Sequence, residues 1–410
     1  MNARTPHRPV IRRARTAVAA AAAALSLTAC GAVGGIAGGD GSQEPGKGDD
    51  LTVGLLLPDK TTARFERFDH PLIKKEVALL THGRGKVAYA NAESSTRRQS
   101  RQFQKLIADR VDVILVDAVD SRAIAPDVRR AKEAGIPVIA YDRLAEGPVD
   151  AYVSHDNELV GEVQARALVQ RLGSNSLNSK VVMMHGDPGD PNTARFKRGA
   201  VTELKGDVKI VKEYDVRKWS PEAAKENMRK AIAAVGADGI AAVYSANDDM
   251  AGAAIDALKE AGVGEVPPVT GQDANLDAIQ RIVSGEQYMT VYKPFELEAT
   301  TAARMAVYKV QGRDVAFDAL TQDLVDSPTH EDIPAALQTV VAVTRKNIED
   351  TVVGGGGGAR RPRWRTPEAG PRGARGGAWR RRGGGRPGVY TVRQICTPEY
   401  AADCAAIGLD

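Results

Sequence analysis

From residue 51 onward the chain alternates short apolar runs with amphipathic stretches of helical length, and this alternation constrains the fold most. Several runs are apolar on both faces, as at 113–116, which reads Val-Ile-Leu-Val. Such runs are typical of strands in a parallel sheet that is covered by helices on both sides. Repeated strand–helix alternation therefore predicts a doubly wound α/β fold.

The number of these units predicts two lobes. About ten strand–helix units exceed what one compact sheet of ordinary size contains. A chain of 410 residues, 43% of them hydrophobic, can bury two cores. We therefore expect a first lobe over about 51–152 and a second lobe that begins near Val153.

Residues 1–30 have the pattern of an export signal. Five arginines precede an apolar stretch at 17–27, which is too short to span a bilayer as a permanent helix. Leu27-Thr28-Ala29-Cys30 resembles the lipobox of bacterial lipoproteins, which implies lipid attachment to Cys30 and cleavage before it. An ordinary signal peptide with an incidental cysteine is the alternative, and the route of export stays open. Residues 31–50, rich in Gly, Asp and Ser, predict a flexible tether to the membrane.

Residues 354–388 form a low-complexity stretch near the C-terminus. They contain ten arginines and thirteen glycines but one acid, so they contribute a charge of +9. Such a composition cannot bury enough apolar surface to fold, which predicts a disordered insertion. We prefer an inserted or frame-shifted stretch as its origin, and a basic arm for anionic wall polymer is the functional alternative.

The tail at 389–410 carries two cysteines. An even pair in an exported chain, Cys396 and Cys404, predicts a disulfide. Thr397 and Pro398 are suited to begin a helix, which leaves Cys396 just before it. Because a straight helix through both would separate the cysteines by about 12 Å, the chain has to fold back ahead of Thr397.

The charge distribution excludes nucleic acid as a partner. Residues 1–30 contribute +5 and residues 354–388 contribute +9, so the remaining residues carry −10 of the overall +4. A basic surface is the footprint of nucleic-acid binding, and the folded body of this chain is acidic.

Polar residues gather where four predicted strands end. Ligands of open α/β sheets bind outside the carboxyl ends of the strands, so these positions favour one cleft over four unrelated loops. The four junctions are Asp142-Arg143, His185-Gly186-Asp187, Asn247-Asp248 and Gln272-Asp273.

Seven motifs run in one order over about 51–353 and 389–410. Together they resemble the periplasmic sugar-binding proteins of ABC importers, in the ribose, galactose and xylose group, with the xylose-binding members most similar. The motifs lie at 63–68, 140–143, 154–158, 187–195, 245–248, 270–273 and 290–294.

The resemblance implies the type I periplasmic binding protein fold, in which a three-segment hinge joins the lobes. The chain would pass back near Lys293 and again near Ile333. We therefore expect 51–152 plus 294–330 in the first lobe and 153–293 plus 331–353 in the second.

The resemblance also implies a ligand set. Asp142, Arg143 and Arg64 would bind sugar hydroxyls from the first lobe, and aromatic rings would cover the apolar C–H face of the sugar. The resemblance leaves open whether Arg195 belongs to this set. The full set is Arg64, Phe65, Asp142, Arg143, Asp190, Asn192, Trp219, Asn247, Asp273 and Lys293.

Several of these residues also have plain structural explanations. Asp142 could cap a turn, Trp219 could pack in a core, Asn247 could cap a helix, and Lys293 could be a solvated loop lysine. The set as a whole favours a binding role, because its near-neutral balance of three acids and three bases suits an uncharged ligand.

We therefore expect an extracytoplasmic, membrane-anchored, monomeric lipoprotein that captures a neutral monosaccharide, xylose first, and delivers it to ABC permease subunits. The alternatives are a sensor subunit that presents the sugar to a receptor and the effector domain of a sugar-responsive repressor. An enzyme is disfavoured, because no nucleophile elbow, phosphate loop or zinc-ligand spacing is present. No cofactor, metal or catalytic residue is predicted.

Overall fold

The computed structural model describes residues 48–353 and 389–409. The predicted signal peptide with Cys30, the tether up to residue 47 and the 354–388 insertion lie outside the described residues. Within them, no helix is both long and apolar enough to cross a bilayer.

Twelve strands alternate with helices along the described chain. The strands are β1 (Thr52–Leu57), β2 (Lys86–Asn91), β3 (Val113–Val116), β4 (Val138–Tyr141), β5 (Ala151–His155), β6 (Lys180–His185), β7 (Lys209–Asp215), β8 (Ala242–Ser245), β9 (Met289–Tyr292), β10 (Asp323–Val325), β11 (Ile333–Gln338) and β12 (Val341–Thr344).

The α-helices are α1 (His70–Leu80), α2 (Thr96–Ala108), α3 (Ala125–Glu133), α4 (Asn157–Leu172), α5 (Pro191–Leu204), α6 (Pro221–Val235), α7 (Asp248–Glu260), α8 (Leu276–Ser284), α9 (Phe295–Val310), α10 (Asp314–Asp318), α11 (Ile348–Thr351), α12 (Val392–Ile395) and α13 (Ala401–Ala406).

The first lobe contains a sheet of seven strands in the order β10-β11-β5-β4-β3-β1-β2. All neighbours are parallel except β10 and β11. Alternate residues of β1 enter two cores: Val53 and Leu55 pack with residues of α1 and α9, and Leu56 packs on the other face with residues of α2 and α3. This two-sided burial is the physical reason for the continuous apolar runs, and the doubly wound prediction is confirmed.

The second lobe contains the parallel strands β7-β6-β8. Bridges from Val243 to Val269 and from Gln272 to Val291 continue this sheet towards β9, which pairs antiparallel with β12. On one face, α4 and α5 pack unusually closely. A Cβ on Gly161 would lie 2.0 Å from the Phe196 carbonyl oxygen, and one on Gly199 would lie 2.0 Å from that of Glu158. The two glycines therefore allow backbone contact between the helices.

The lobe boundaries differ from those expected. The strand β5 pairs with β4 at residues 151–153 and with β11 at residues 152–155, so residues 153–155 and 333–338 belong to the first lobe. The chain therefore crosses between lobes after His155, around Lys293 and at 339–340. The strand β11 was assigned to the second lobe because its sequence does not say which edge it will extend.

Both ends of the described chain differ in detail from the prediction. Asp49, assigned to the tether, hydrogen-bonds His82 and Gln311 of the first lobe at 2.9 and 3.0 Å. In the tail, a disulfide joins Cys396 and Cys404, and the chain folds back between α12 and α13. The second tail helix begins at Ala401 rather than after Thr397, because residues 398–400 form a turn.

Candidate ligand-binding site

A cavity lies between the lobes, at the carboxyl ends of the strands. All ten residues predicted for the ligand set line it, which brings together positions from 64 to 293. Three further residues lie outside that set: Thr62 and Phe196 were not predicted, and Gln272 was predicted only as part of a strand end at the cleft. The lining consists of Thr62, Arg64, Phe65, Asp142, Arg143, Asp190, Asn192, Phe196, Trp219, Asn247, Gln272, Asp273 and Lys293.

Arg64 is held by carboxylates of the first lobe. It lies just before a π-helical turn, Phe65–Asp69, and its side chain is 3% exposed. Its Nη2 lies 2.9 Å from Asp69, 3.0 Å from Asp142 and 2.7 Å from Glu298. Nη1 is buried and donates no hydrogen bond within the described chain.

Arg143 joins the lobes. It follows β4 in the first lobe, and its Nε lies 2.8 Å from Oδ2 of Asp190 in the second. Asp190 also begins α5, where Oδ1 accepts from the Asn192 backbone and Oδ2 accepts from Trp219 Nε1. Asp190 is therefore both a helix cap and a cross-lobe partner.

Asn192 makes the second direct link between the lobes. Its Nδ2 donates to the carbonyl and to Oδ1 of Asp142, both at 3.0 Å. Its Oδ1 accepts from Asn157 at 2.8 Å, so the amide orientation is fixed by partners on both sides. Asp142 is therefore held from Arg64 on one side and from Asn192 on the other.

The second lobe supplies an ion pair and two aromatic rings to the cavity wall. Lys293, predicted for the ligand set with a solvated loop lysine as the alternative, is buried and lies 2.7 Å from Asp273. Trp219 packs edge-on against Phe196, with ring centroids 6.3 Å apart. A Cβ on Gly186 would lie 2.1 Å from Trp219 Cη2, so the glycine makes room for the indole.

Helix capping accounts for only part of the predicted set. Asn247 Oδ1 accepts from the Met250 backbone and caps α7, as its structural explanation had it, yet the residue also lines the cavity. Arg195 does not line the cavity and donates to the Asp326 carbonyl at 3.3 Å.

Three of the ten described non-glycine residues that have positive φ line the cavity. Asp142, Trp219 and Asp273 have φ angles of 57°, 54° and 95°, a backbone region that residues other than glycine rarely adopt. Residues retained in such conformations cluster at functional sites, where the surrounding structure compensates their cost. The three strained residues all present side chains to the same cavity.

Buried carboxyl groups outnumber buried cations around the cavity. The three cations are Arg64, Arg143 and Lys293. They face the three acids of the predicted ligand set and further buried carboxyl groups. The additional ones form a layer behind the lining. The buried carboxyl groups are Asp59, Asp69, Asp117, Asp142, Asp190, Asp273 and Glu298.

The environment separates these carboxyl groups by pKa. Burial alone would raise the pKa of Asp142, but the charges of Arg64, Lys293 and Arg143 outweigh it and lower that pKa to about 2. Burial raises the pKa of Glu298 to about 8 and that of Asp69 to about 6, against the opposing charge of Arg64. The cations thus keep the pKa of Asp142 low, whereas burial keeps that of Glu298 high.

Comparison with known families identifies the fold and its class. Residues 53–314 match the model of the periplasmic binding protein domain. The chain belongs to the periplasmic binding protein family. Members of this family act outside the cytoplasm as binding proteins rather than as enzymes, which agrees with the export signal expected at the N-terminus.

Curated relatives of this periplasmic binding protein carry sugar-binding names. The D-xylose-binding periplasmic protein of Escherichia coli is 34% identical over 310 residues, which cover 74% of this chain and 90% of the relative. The multiple sugar-binding periplasmic receptor ChvE of Rhizobium radiobacter is 29% identical over an alignment that covers 75% of this chain and 91% of the receptor.

A solved structure gives the same result. An ABC transporter solute-binding protein of Clostridium phytofermentans with bound β-D-glucose superposes with a TM-score of 0.65 at 25% identity. The match covers 73% of this chain and 95% of that protein.

Proposed function

We propose that this periplasmic binding protein is a monomer that captures a neutral monosaccharide and delivers it to an ABC permease. D-xylose is the first candidate for the sugar. The observation that carries this proposal is the cavity wall itself. Acidic and basic side chains from both lobes line one cavity together with three aromatic rings. Sugar hydroxyls both donate and accept, and the C–H faces of a sugar pack on aromatic rings.

Hinge closure is the proposed mechanism. Asp142, Arg143 and Arg64 approach the ligand from the first lobe, and Asn192 and Trp219 approach it from the second. A sugar bound to one lobe gains the contacts of the other only when the cleft closes, so ligand binding shifts the population towards the closed form. The closed form then presents a surface formed by both lobes to the permease.

The choice of D-xylose draws on the relative that is 34% identical and named for that sugar. Glucose, galactose and arabinose are the next candidates. The glucose-bound solved structure and the multiple sugar-binding receptor support testing them beside xylose. Calorimetric titration of the mature protein with these four sugars tests the proposal, with xylose 5-phosphate and xylonate as charged controls. Binding of a neutral sugar supports the proposal, and binding of the charged compounds alone contradicts it.

A sensor role is the second candidate. The relative named a multiple sugar-binding periplasmic receptor supports it. Deleting the permease genes separates the two roles, because an importer-only protein then loses every sugar-dependent response, whereas a sensor subunit keeps its transcriptional response.

We further propose that Cys30 is the lipid-bearing first residue of the mature protein. The Leu27–Cys30 motif supports it. Replacing Cys30 by Ser should release the protein from the membrane fraction, as measured by fractionation and immunoblotting. A Cys30→Ser protein that stays with the membranes as wild type does would contradict the lipid anchor.

A further inference from the structure

The Arg143 guanidinium faces more than one buried carboxyl group. Its Nε lies 2.8 Å from Asp190 and 3.5 Å from Asp117, and its Nη2 lies 3.7 Å from Asp59. All four side chains are at most 10% exposed. Like charges that share one partner in a buried site cannot all remain ionised without a large cost, so one carboxyl group is expected to hold a proton.

Asp117 is the group best suited to hold that proton. It is fully buried at the end of β3, and neither carboxylate oxygen accepts a hydrogen bond from the described residues. Asp190, in contrast, accepts from the Asn192 backbone and from Trp219 Nε1. Hydrogen bonds to the charged form favour ionisation. Burial raises the pKa of both aspartates, and it raises that of Asp117 well above its usual range.

The position of Asp117 is fixed by its backbone. The Asp117 carbonyl accepts from Gln99 Nε2 at 2.6 Å, and Gln99 Oε1 accepts from the Val119 backbone. This link fixes the backbone from which the carboxyl group reaches Arg143. Asp117 does not line the cavity, and it acts on the ligand only through Arg143.

The charges around Asp117 divide between the lobes. Arg143, Asp142 and Arg64 belong to the first lobe and remain near Asp117 when the cleft opens. Asp190 belongs to the second lobe and leaves with it. Opening removes a competing negative charge from Arg143 and admits water, and both changes favour the ionised form of Asp117. Closing reverses both changes.

We propose, on the basis of the sugar-binding function proposed above, that Asp117 takes up a proton when the cleft closes, so that sugar capture is coupled to proton uptake. The closed form binds this proton more tightly than the open form. The affinity for sugar therefore falls as the pH rises between the values at which the two forms titrate. One proton accounts for at most about a tenfold change in affinity per pH unit.

Calorimetric titration with D-xylose in two buffers of equal pH and different ionisation enthalpy measures this proton directly. Xylose does not ionise, so any proton taken up comes to the protein. We expect wild type to take up as much as one proton per sugar. In Asp117→Asn, which imitates the protonated acid, the proton uptake and the variation of affinity with pH should both decrease. Asp127→Asn is the matched control, because Asp127 is a buried acid of α3 outside the cavity lining.

Sugar binding by wild type without proton uptake would overturn the coupling, as would equal uptake by Asp117→Asn. Should that variant fold poorly, the wild-type titration still decides, because it needs no substitution. Failure of every neutral sugar to bind is a different result, since it contradicts the proposed function. Infrared absorption of a buried protonated carboxyl group, lost in Asp117→Asn, then tests the protonation of Asp117 by itself.

Discussion

Arg143 of the first lobe and Asp190 of the second lie 2.8 Å apart, and this ion pair closes the cleft directly. Both side chains line the cavity, so a ligand hydroxyl that contacts one is within reach of the other. The same two side chains therefore bind the ligand and hold the lobes together, which explains how occupancy of the cavity can bias the hinge.

Asp142→Asn should weaken sugar binding. The variant keeps the shape of the side chain but removes the charge that pairs with Arg64 at 3.0 Å. A hydrogen bond to a charged group contributes about 1.5–3 kcal/mol, which corresponds to a loss of about tenfold to a hundredfold in affinity. Calorimetry measures this loss, and Asp127→Asn serves as the control. Wild-type affinity in Asp142→Asn would remove Asp142 from the site.

Replacing residues 354–388 by a short Gly/Ser linker should leave sugar affinity unchanged. The flanking residues are already adjacent, because the Tyr390 backbone donates to the Val352 carbonyl at 2.9 Å. Loop closure changes by only about 0.6 kcal/mol per doubling of loop length, so the melting temperature should move by a few degrees at most. Loss of sugar binding or of folding would mean that the segment is structural.

Gly186→Ala should displace the Trp219 ring, because the added Cβ would lie 2.1 Å from Cη2. Loss of one aromatic contact corresponds to about 0.5–1.5 kcal/mol, or about twofold to tenfold in affinity. Trp219 is the only tryptophan outside the 354–388 insertion, so in the linker variant its fluorescence alone reports on the cavity.

Gly264→Ala is the matched control for that substitution, since a Cβ there meets nothing within 4 Å. An unchanged sugar response of the fluorescence in Gly186→Ala would contradict a ligand contact by Trp219.

Removal of the Cys396–Cys404 disulfide should lower stability without lowering sugar affinity. The bond closes a short loop, for which chain entropy gives about 2–3 kcal/mol. The tail packs against α8, away from the cavity lining. Thermal unfolding of the double Ser variant measures the loss. An unchanged melting temperature, or two free thiols in exported protein, would contradict it.

Much of the fold follows from local sequence. The Val113–Val116 strand could be predicted because all four side chains are buried between two helical layers. The strand Ile333–Gln338 belongs to the first lobe rather than to the predicted second lobe, because its placement depends on long-range pairing with β5 and β10. Local patterns identify a strand but not its partner.

The cavity was predicted as far as strand ends and motifs reach. Phe196 was missed although it lies one helical turn beyond Asn192 on α5, a spacing that places both on one face. Asp117 was missed although it directly follows β3, as the other polar residues follow their strands. Glu298 gave no such signal, because its contact with Arg64 joins residues 234 positions apart.

Calorimetric titration of the mature protein with D-xylose, glucose, galactose and arabinose tests the central claim most directly. We expect one sugar per protein, with D-xylose among the tightest ligands, and weaker binding of the same sugar to Asp142→Asn. Absence of binding by all four sugars to folded protein, or binding that the Asp142 substitution leaves unchanged, would contradict the assignment of this cavity to a monosaccharide.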